Sequence, residues 1–317
     1  MRSVRMKLAK VSLSIALLLA FAVPGLAQTP AKLRVAVIPL ENSAQAFYAK
    51  DMGFFAKQGL DVDMISIQSG SAVAAAVAGG AADVGFASLV PLAIAHMKSV
   101  PFVLVAAGAM WTQAARNSAL YIPANSTVRS GKDLDGKTLA CAGLGTLTEY
   151  ATRAWIDQHG GNASTVKFVE MGYPSMPPAL GAGRVDAALV NEPYLGSVKS
   201  DSKVLGYPFD AVSKEFLIGG WFSNAQWAKD HPDLVNRFAA AMREAAAWAN
   251  QKQNNAKSAE ILERYTKMDP SVVASMVRVR FGERLGVASI QPQVDIAAKY
   301  GNFTTFPASE IIYSPGR

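Results

Sequence analysis

Gly80-Ala81-Ala82-Asp83-Val84-Gly85 and Gly183-Arg184-Val185-Asp186-Ala187-Ala188 are the two stretches that decide the fold. They lie 103 residues apart and read alike. Each closes an apolar helical run, the first starting at Ser71 and the second near Pro177. Gly ends the helix, where a left-handed residue is needed, and Asp follows three positions later at the head of a short apolar strand. The preceding elements echo too. Leu33-Arg34-Val35-Ala36-Val37-Ile38 matches Thr138-Leu139-Ala140-Cys141-Ala142, and Val62-Asp63-Met64-Ile65-Ser66-Ile67 matches Val166-Lys167-Phe168-Val169-Glu170. Two copies of strand–helix–strand–helix–strand predict two similar α/β lobes with a cleft between them, where small ligands bind.

Residues 1–27 read as an export signal. Arg2, Arg5, Lys7 and Lys10 precede an apolar run at 11–23 that is too short to span a bilayer comfortably, and Gly25-Leu26-Ala27 predicts cleavage after Ala27. A periplasmic location is expected. Without those residues the net charge falls from +7 to +3, so the basic character belongs partly to the signal. No long basic run remains, and no nucleic-acid partner is expected. Cys141 is the single Cys and falls in an expected strand, which excludes an intramolecular disulfide.

Alternating strands and helices place lobe one at 28–115 and lobe two at 116–210, with a mostly helical return segment at 211–317. Each lobe is expected to hold a mostly parallel sheet flanked by helices. The lobes are joined by two crossovers, near 113–118 and between 206 and 216. Helix is expected from Asn224 to about Tyr300, with Phe238, Met242, Ala245 and Trp248 as a core stripe.

Two motifs invite other readings. Gly131-Lys132-Asp133-Leu134-Asp135-Gly136-Lys137-Thr138 matches a phosphate-binding loop letter for letter. Its context is reversed, because it feeds a strand rather than following one, so a polar turn is expected. Gly143-Leu144-Gly145-Thr146-Leu147-Thr148 has the right context but lacks the third Gly of a dinucleotide fingerprint. It can still turn backbone N–H groups toward an anionic group. His96, His159 and His231 are far apart, and neither metal nor cofactor is expected.

In open α/β sheets the ligand sits beyond the carboxyl ends of the strands. That rule selects the loops carrying Glu41, Asn42 and Ser43; Ser69, Gly70 and Ser71; Ser88; Trp111; Gly145 and Thr146; Tyr173; and Asn191 and Glu192. Each hydroxyl can equally cap a helix. These loops contain no Arg or Lys, so an anionic ligand would rest on helix ends and neutral donors. Trp111, Tyr173, Tyr194 and Trp221 can stack on a planar ligand or fill the core. Glu41 and Glu192 can accept from an amine or a ring N–H.

Gly53-Phe54-Phe55 followed by Gly59-Leu60-Asp61-Val62 resembles the signature of the nitrate/sulfonate/taurine-type solute-binding proteins of ABC importers. Ala81-Ala82-Asp83-Val84-Gly85, Asp133-Leu134-Asp135-Gly136-Lys137-Thr138, Arg184-Val185-Asp186-Ala187-Ala188, Asn191-Glu192-Pro193-Tyr194 and His231-Pro232-Asp233-Leu234-Val235 follow in that family's order. The resemblance implies a type II periplasmic binding protein fold and a small-molecule ligand bound by hinge closure. It also implies transient docking on an inner-membrane ABC permease, and a monomer. A small sulfonate or carboxylate, aromatic ones included, is the first expectation. A pyrimidine-type or amine-bearing heterocycle is the alternative. The superfamily's enzyme branch carries a cluster of cysteines that this chain lacks. An exported dehydratase using Glu41 or Glu192 as general acid or base is the rival from another class.

Overall fold

A computed structural model describes residues 29–198 and 201–315. The expected export signal at 1–27 and its cleavage site lie outside the described residues. The first sheet uses β1 (Ala31–Val37), β2 (Leu60–Ser66), β3 (Val84–Ser88) and β4 (Phe102–Ala107). β5 (Ala109–Thr112) then leads to the second sheet, built from β6 (Ser118–Pro123), β7 (Thr138–Cys141), β8 (Lys167–Glu170), β9 (Ala187–Asn191) and β10 (Ser202–Gly206). The chain returns through β11 (Glu215–Leu217), β12 (Gly219–Asn224) and β13 (Arg280–Phe281). The sheet orders are β2-β1-β3-β12-β4 and β10-β6-β9-β7-β8.

Read from the β2 and β8 edges, the two sheets are the same object. In each, four strands point one way and a single strand is reversed. β12 is antiparallel to β3 and β4, and β6 is antiparallel to β9 and β10. Each reversed strand is the one by which the chain enters that lobe after a crossover. The expected mostly parallel strand direction holds in both sheets, and the single reversed strand makes each of them mixed. The Gly219–Asn224 strand was not expected, because its Gly-Gly start hides the strand pattern. The helical reading of 224–300 also needs correction: β13 interrupts it and pairs with β5.

The repeated Asp has a physical role. Asp83 accepts the Arg34 backbone N–H at 2.7 Å and the Arg34 guanidinium at 2.5 Å, while its own N–H goes to the Arg34 carbonyl at 2.9 Å. Asp186 accepts the Thr138 N–H at 2.9 Å and donates its N–H to the Thr138 carbonyl at 2.8 Å. Each Asp thereby locks the head of one parallel strand to its neighbour. The Gly before it is left-handed in both lobes, with φ +71° at Gly80 and +66° at Gly183. The helix ends close alike: Ala81 N–H reaches the Ala76 carbonyl and Arg184 N–H the Ala179 carbonyl, the six-to-one bond of a Schellman motif.

The helices are α1 (Ala44–Asp51), α2 (Phe54–Lys57), α3 (Gly70–Ala78), α4 (Leu89–Met97), α5 (Leu147–Gln158), α6 (Met176–Gly181), α7 (Ala225–Asp230), α8 (Pro232–Ala249), α9 (Asn255–Thr266), α10 (Pro270–Ser275) and α11 (Val287–Gly301). In the second sheet, alternation sends Leu120, Ile122, Leu139 and Leu189 into the large core shared with the first sheet. Tyr121, Ala140 and Val190 enter a smaller core with Met176 and Leu180 of α6. α11 packs on both α4 and α5, and the Tyr300 hydroxyl donates to Asp157 at 2.7 Å. The segment 131–138 is a polar turn leading into β7, as its context predicts.

β5 and β11 pair antiparallel where the chain crosses between lobes, and β13 adds a third strand. Trp111 on β5 is fully buried, edge-on to Phe209 at 5.2 Å, and Phe209 is edge-on to Phe216 at 6.0 Å. The Trp111 indole N–H donates to Asp210 at 3.3 Å, and Arg116 donates to the other Asp210 oxygen at 3.0 Å. Trp221 is also fully buried and donates to Gln45 at 2.9 Å. Both tryptophans are thus packing residues. A strand position in the three-strand sheet at the crossover, rather than a loop, explains Trp111. The hidden strand β12 explains Trp221.

Three outcomes follow from this packing. Trp111→Ala or Trp221→Ala is expected to cost about 3–5 kcal/mol in denaturant unfolding, the range for a buried Trp truncated to Ala. Asp83→Ala is expected to destabilise more than Asp186→Ala, with Asp83→Ala near 2–3 kcal/mol, because Asp83 is the more buried and binds a guanidinium as well as a backbone amide. Burial pushes the Cys141 thiol up to about 11. At pH 8 it should resist disulfide-exchange reagents in the folded chain and react fully in denaturant, as read by absorbance.

Candidate functional site

The carboxyl ends of β1, β2 and β3 in one lobe and of β7, β8 and β9 in the other supply the loops chosen by the strand rule. After β1 the chain turns through Glu41, Asn42 and Ser43 into α1. Ser43 is fully buried and donates to the Ile38 and Leu40 carbonyls, so it fastens this turn internally. Asn42 is half-buried, and its side chain makes no hydrogen bond among the described residues. Ser69 caps α3 by accepting the Ala72 N–H at 3.3 Å and lies 3.2 Å from the Ser71 hydroxyl. A Cβ added at Gly70 would meet nothing within 4 Å, so the start of α3 is open. Ser88 precedes α4 without capping it through its side chain.

The second lobe offers less. Gly145, left-handed at φ +70°, gives its N–H to Glu149 at 2.7 Å, and the Leu144 N–H goes to Glu170 at 3.3 Å. Thr146 donates to the Gly143 carbonyl at 2.7 Å and contacts Thr148 at 2.9 Å. The amides that sequence reasoning reserved for an anion are therefore bound by the chain's own carboxylates. Asn191, at the end of β9, accepts from Ser118 at 2.6 Å and donates to the Tyr173 hydroxyl at 2.8 Å. Tyr173 stacks on Tyr194 with centroids 5.9 Å apart. Burial pushes the Tyr173 phenol well above its usual value.

Glu41 and Glu192, one from each lobe, converge on a single segment of the return chain. Arg278 donates through Nε to Glu41 Oε1 and through Nη2 to the Tyr48 hydroxyl at 2.8 Å. The neighbouring Val277 N–H donates to Glu192 Oε1 at 2.9 Å. Glu41 is 6% exposed, and its Oε2 is buried without a hydrogen-bond partner among the described residues. Burial pushes the Glu41 carboxyl up. Arg278 pulls against that shift, and Glu192 adds to it. Burial works against the Arg278 charge, but Glu41 and Tyr48 more than offset it. Burial pushes the Tyr121 phenol up, and Tyr207 and Glu192 add to that shift.

The predicted residues thus separate by what their polar atoms already do. Glu41 and Glu192 are joined through 277–278, Tyr173 and Asn191 bond directly, and Ser69, Gly70 and Ser71 share one helix start. Ser43, Thr146, Trp111 and Trp221 are committed elsewhere. Arg278 was missed, since it lies 237 residues from Glu41 in a stretch read as helix. Nothing local to its sequence marks it. Among the described residues, no three His, Cys, Asp or Glu side chains gather as metal ligands would. No helix there is long and apolar enough to cross a membrane.

Comparison with known proteins matches this architecture. The family model described as NMT1/THI5 like matches residues 41–256. The chain is 25% identical over 228 residues to the taurine-binding periplasmic protein of Escherichia coli (strain K12), covering 67% of each. Among solved structures, the periplasmic aliphatic sulphonate binding protein from Escherichia coli superposes with a TM-score of 0.74 at 17% identity. That match covers 91% of this chain and 94% of the other. The periplasmic nitrate-binding protein from Synechocystis PCC 6803 superposes with a TM-score of 0.63 at 16% identity, covering 76% and 68%. The repeated lobes, the double crossover and these matches agree: the chain belongs to the NMT1/THI5-like family and has the fold of the periplasmic binding proteins.

Proposed function

We propose that this chain is the solute-binding receptor of an ABC-type importer. It works in the periplasm, closes on a small polar organic solute and hands it to an inner-membrane permease. The observation that carries the reading is the pair of matching sheets joined by β5 and β11, with chemically varied loops at the carboxyl ends of their strands. The lobes are assigned to 28–115 with 211–317 and to 116–210, and closure turns on the two crossover strands. The family match supports the reading, as do the names of the relatives, which are binding proteins for taurine, sulphonate and nitrate rather than enzymes. The chain acts as a monomer in this scheme.

A sulfonate or carboxylate head group is assigned to the first lobe. The open start of α3 at Gly70 and Ser71, with Ser88 and Asn42 nearby in the fold's layout, provides donors not consumed by packing. The positive end of a helix favours an anion by about 0.3–1 kcal/mol, more where water is excluded.

A thermal-shift screen of sulfonates, aliphatic and aromatic carboxylates, nitrate, amino compounds and pyrimidines tests the reading. A ligand at 100 times its dissociation constant adds about 2.7 kcal/mol, which raises Tm by several degrees in a chain of this size. The expected result is a sharp hit recovered unchanged by mass spectrometry. Asn42→Ala and Ser88→Ala should each weaken that compound about tenfold without lowering Tm in its absence. Recovery of a different compound would make the protein an enzyme.

A further inference from the structure

We propose that α11 is a strap between the lobes and that the Tyr300–Asp157 bond is its latch, holding the solute-free chain in the lobe arrangement of this structure. This rests on the receptor reading and adds what sets the resting state. α11 belongs to the return segment, yet it packs on α4 of the first lobe and on α5 of the second. Its middle is fixed to the crossover, because the buried Gln293 donates through Nε2 to the Leu217 carbonyl on β11. Tyr300 lies seven residues later, about 10 Å further along the helix. There its hydroxyl donates to Asp157 Oδ2 at 2.7 Å, and Lys299 Nζ stands 3.9 Å from the same oxygen. The Tyr300 ring meets the Tyr150 ring of α5 with centroids 6.0 Å apart.

The two sides of the latch are each anchored in their own lobe. Asp157 is held within the second lobe, since its Oδ1 accepts the Ala163 N–H at 2.9 Å. The chain beyond Tyr300 is tied back to the first lobe. Gln291 of α11 accepts the Ala308 N–H at 2.7 Å, Glu310 lies 3.1 Å from His96 Nε2 on α4, and the Tyr313 N–H donates to the Leu104 carbonyl of β4 at 2.9 Å. Movement of one lobe against the other therefore falls on the contact at Asp157. That carboxylate is exposed and Tyr300 is half-buried, so water can replace either partner and the bond can open without stranding a polar group. Asp83, which holds strands within one lobe, is buried instead. The return chain makes a second bond to the second lobe, from the Val277 N–H to Glu192. It lies three residues before β13, beside the crossover strands, where a shorter lever resists rotation less. A surface tie of this kind biases two arrangements modestly, and a solute shifts them by its differential affinity.

Tyr300→Phe tests this, because it removes the hydroxyl and keeps the ring contact with Tyr150. Spin labels on Ala78→Cys and Lys132→Cys, exposed positions in the first and second lobes, report the interlobe distance by pulsed dipolar spectroscopy. The background carries Cys141→Ala, and the protein is refolded from denaturant to free it of solute. With Tyr300 in place the distance distribution is expected to hold one narrow population. With Tyr300→Phe it should become at least half as wide again or split in two. Thr305→Val is the control: it removes a hydroxyl bond of the same kind, to Asp295 at 2.8 Å, that joins α11 only to its own tail. It should leave the distribution unchanged, and circular dichroism checks the fold of every variant. The proposal is overturned if Tyr300→Phe leaves the distribution as it was, if Thr305→Val alters it equally, or if the distribution is broad before either substitution. No solute enters the measurement, so the screen for bound compounds decides the receptor reading separately.

Discussion

Two carboxylate staples hold this architecture in register. Asp83 and Asp186 each sit at the head of an inner strand and take the backbone N–H of the neighbouring strand, returning their own N–H to the same residue. A parallel sheet has no hairpin to set its register, so a side chain that fixes one pair of strand ends sets the rest. Every loop at the far end of those strands inherits its position from that choice. The Schellman closure just before each Asp delivers the carboxylate at the same height in both lobes. The repeated motif is therefore structural, and its contribution to function is indirect: it aims the cleft loops.

The crossovers then decide which residues meet. β5 and β11 bury Trp111, Phe209 and Phe216 between them, so the crossover has an apolar core with a polar clasp at Asp210 and Arg116. The return chain does more than cover the first lobe. Its 277–278 segment bonds a carboxylate from each lobe, Glu192 through the Val277 N–H and Glu41 through the Arg278 guanidinium. This charged cluster is thus assembled from three distant parts of the chain.

Local signals made the scaffold legible. The Gly…Asp repeat, the strand-before-helix order and the polar turn at 131–138 rest on neighbours within a few residues, and the structure agrees with them. What escaped depends on distant partners. Gly219-Gly220 at the start of β12 weakens any strand pattern, and only β3 and β4 on either side make it a strand. Trp111 and Trp221 follow or join strands in ways that no window reveals, so an exposed loop and a buried strand read alike. Hydroxyls at strand ends were easy to find, but whether a hydroxyl caps, fastens or stays available is a tertiary fact. Thr146 and Ser43 turned inward, while Ser88 did not cap its helix. Arg278 had no local mark at all.

The reversed strands carry a consequence for how the chain acquires its shape. All five strands of the second sheet lie between Ser118 and Gly206, an unbroken run. The first sheet needs β12, which begins at Gly219 and fills the place between β3 and β4. A chain emerging from its amino end can therefore complete the second lobe while the first still has a vacant slot in its middle, with two strand edges bare. Emergence from the amino end exposes that slot for more than a hundred residues, from the end of β4 at Ala107 to Gly219, and such edges invite pairing with other chains. The lobe that comes first in the sequence is the one that must wait, and the moment of greatest vulnerability to aggregation ends only when Trp221 closes the gap.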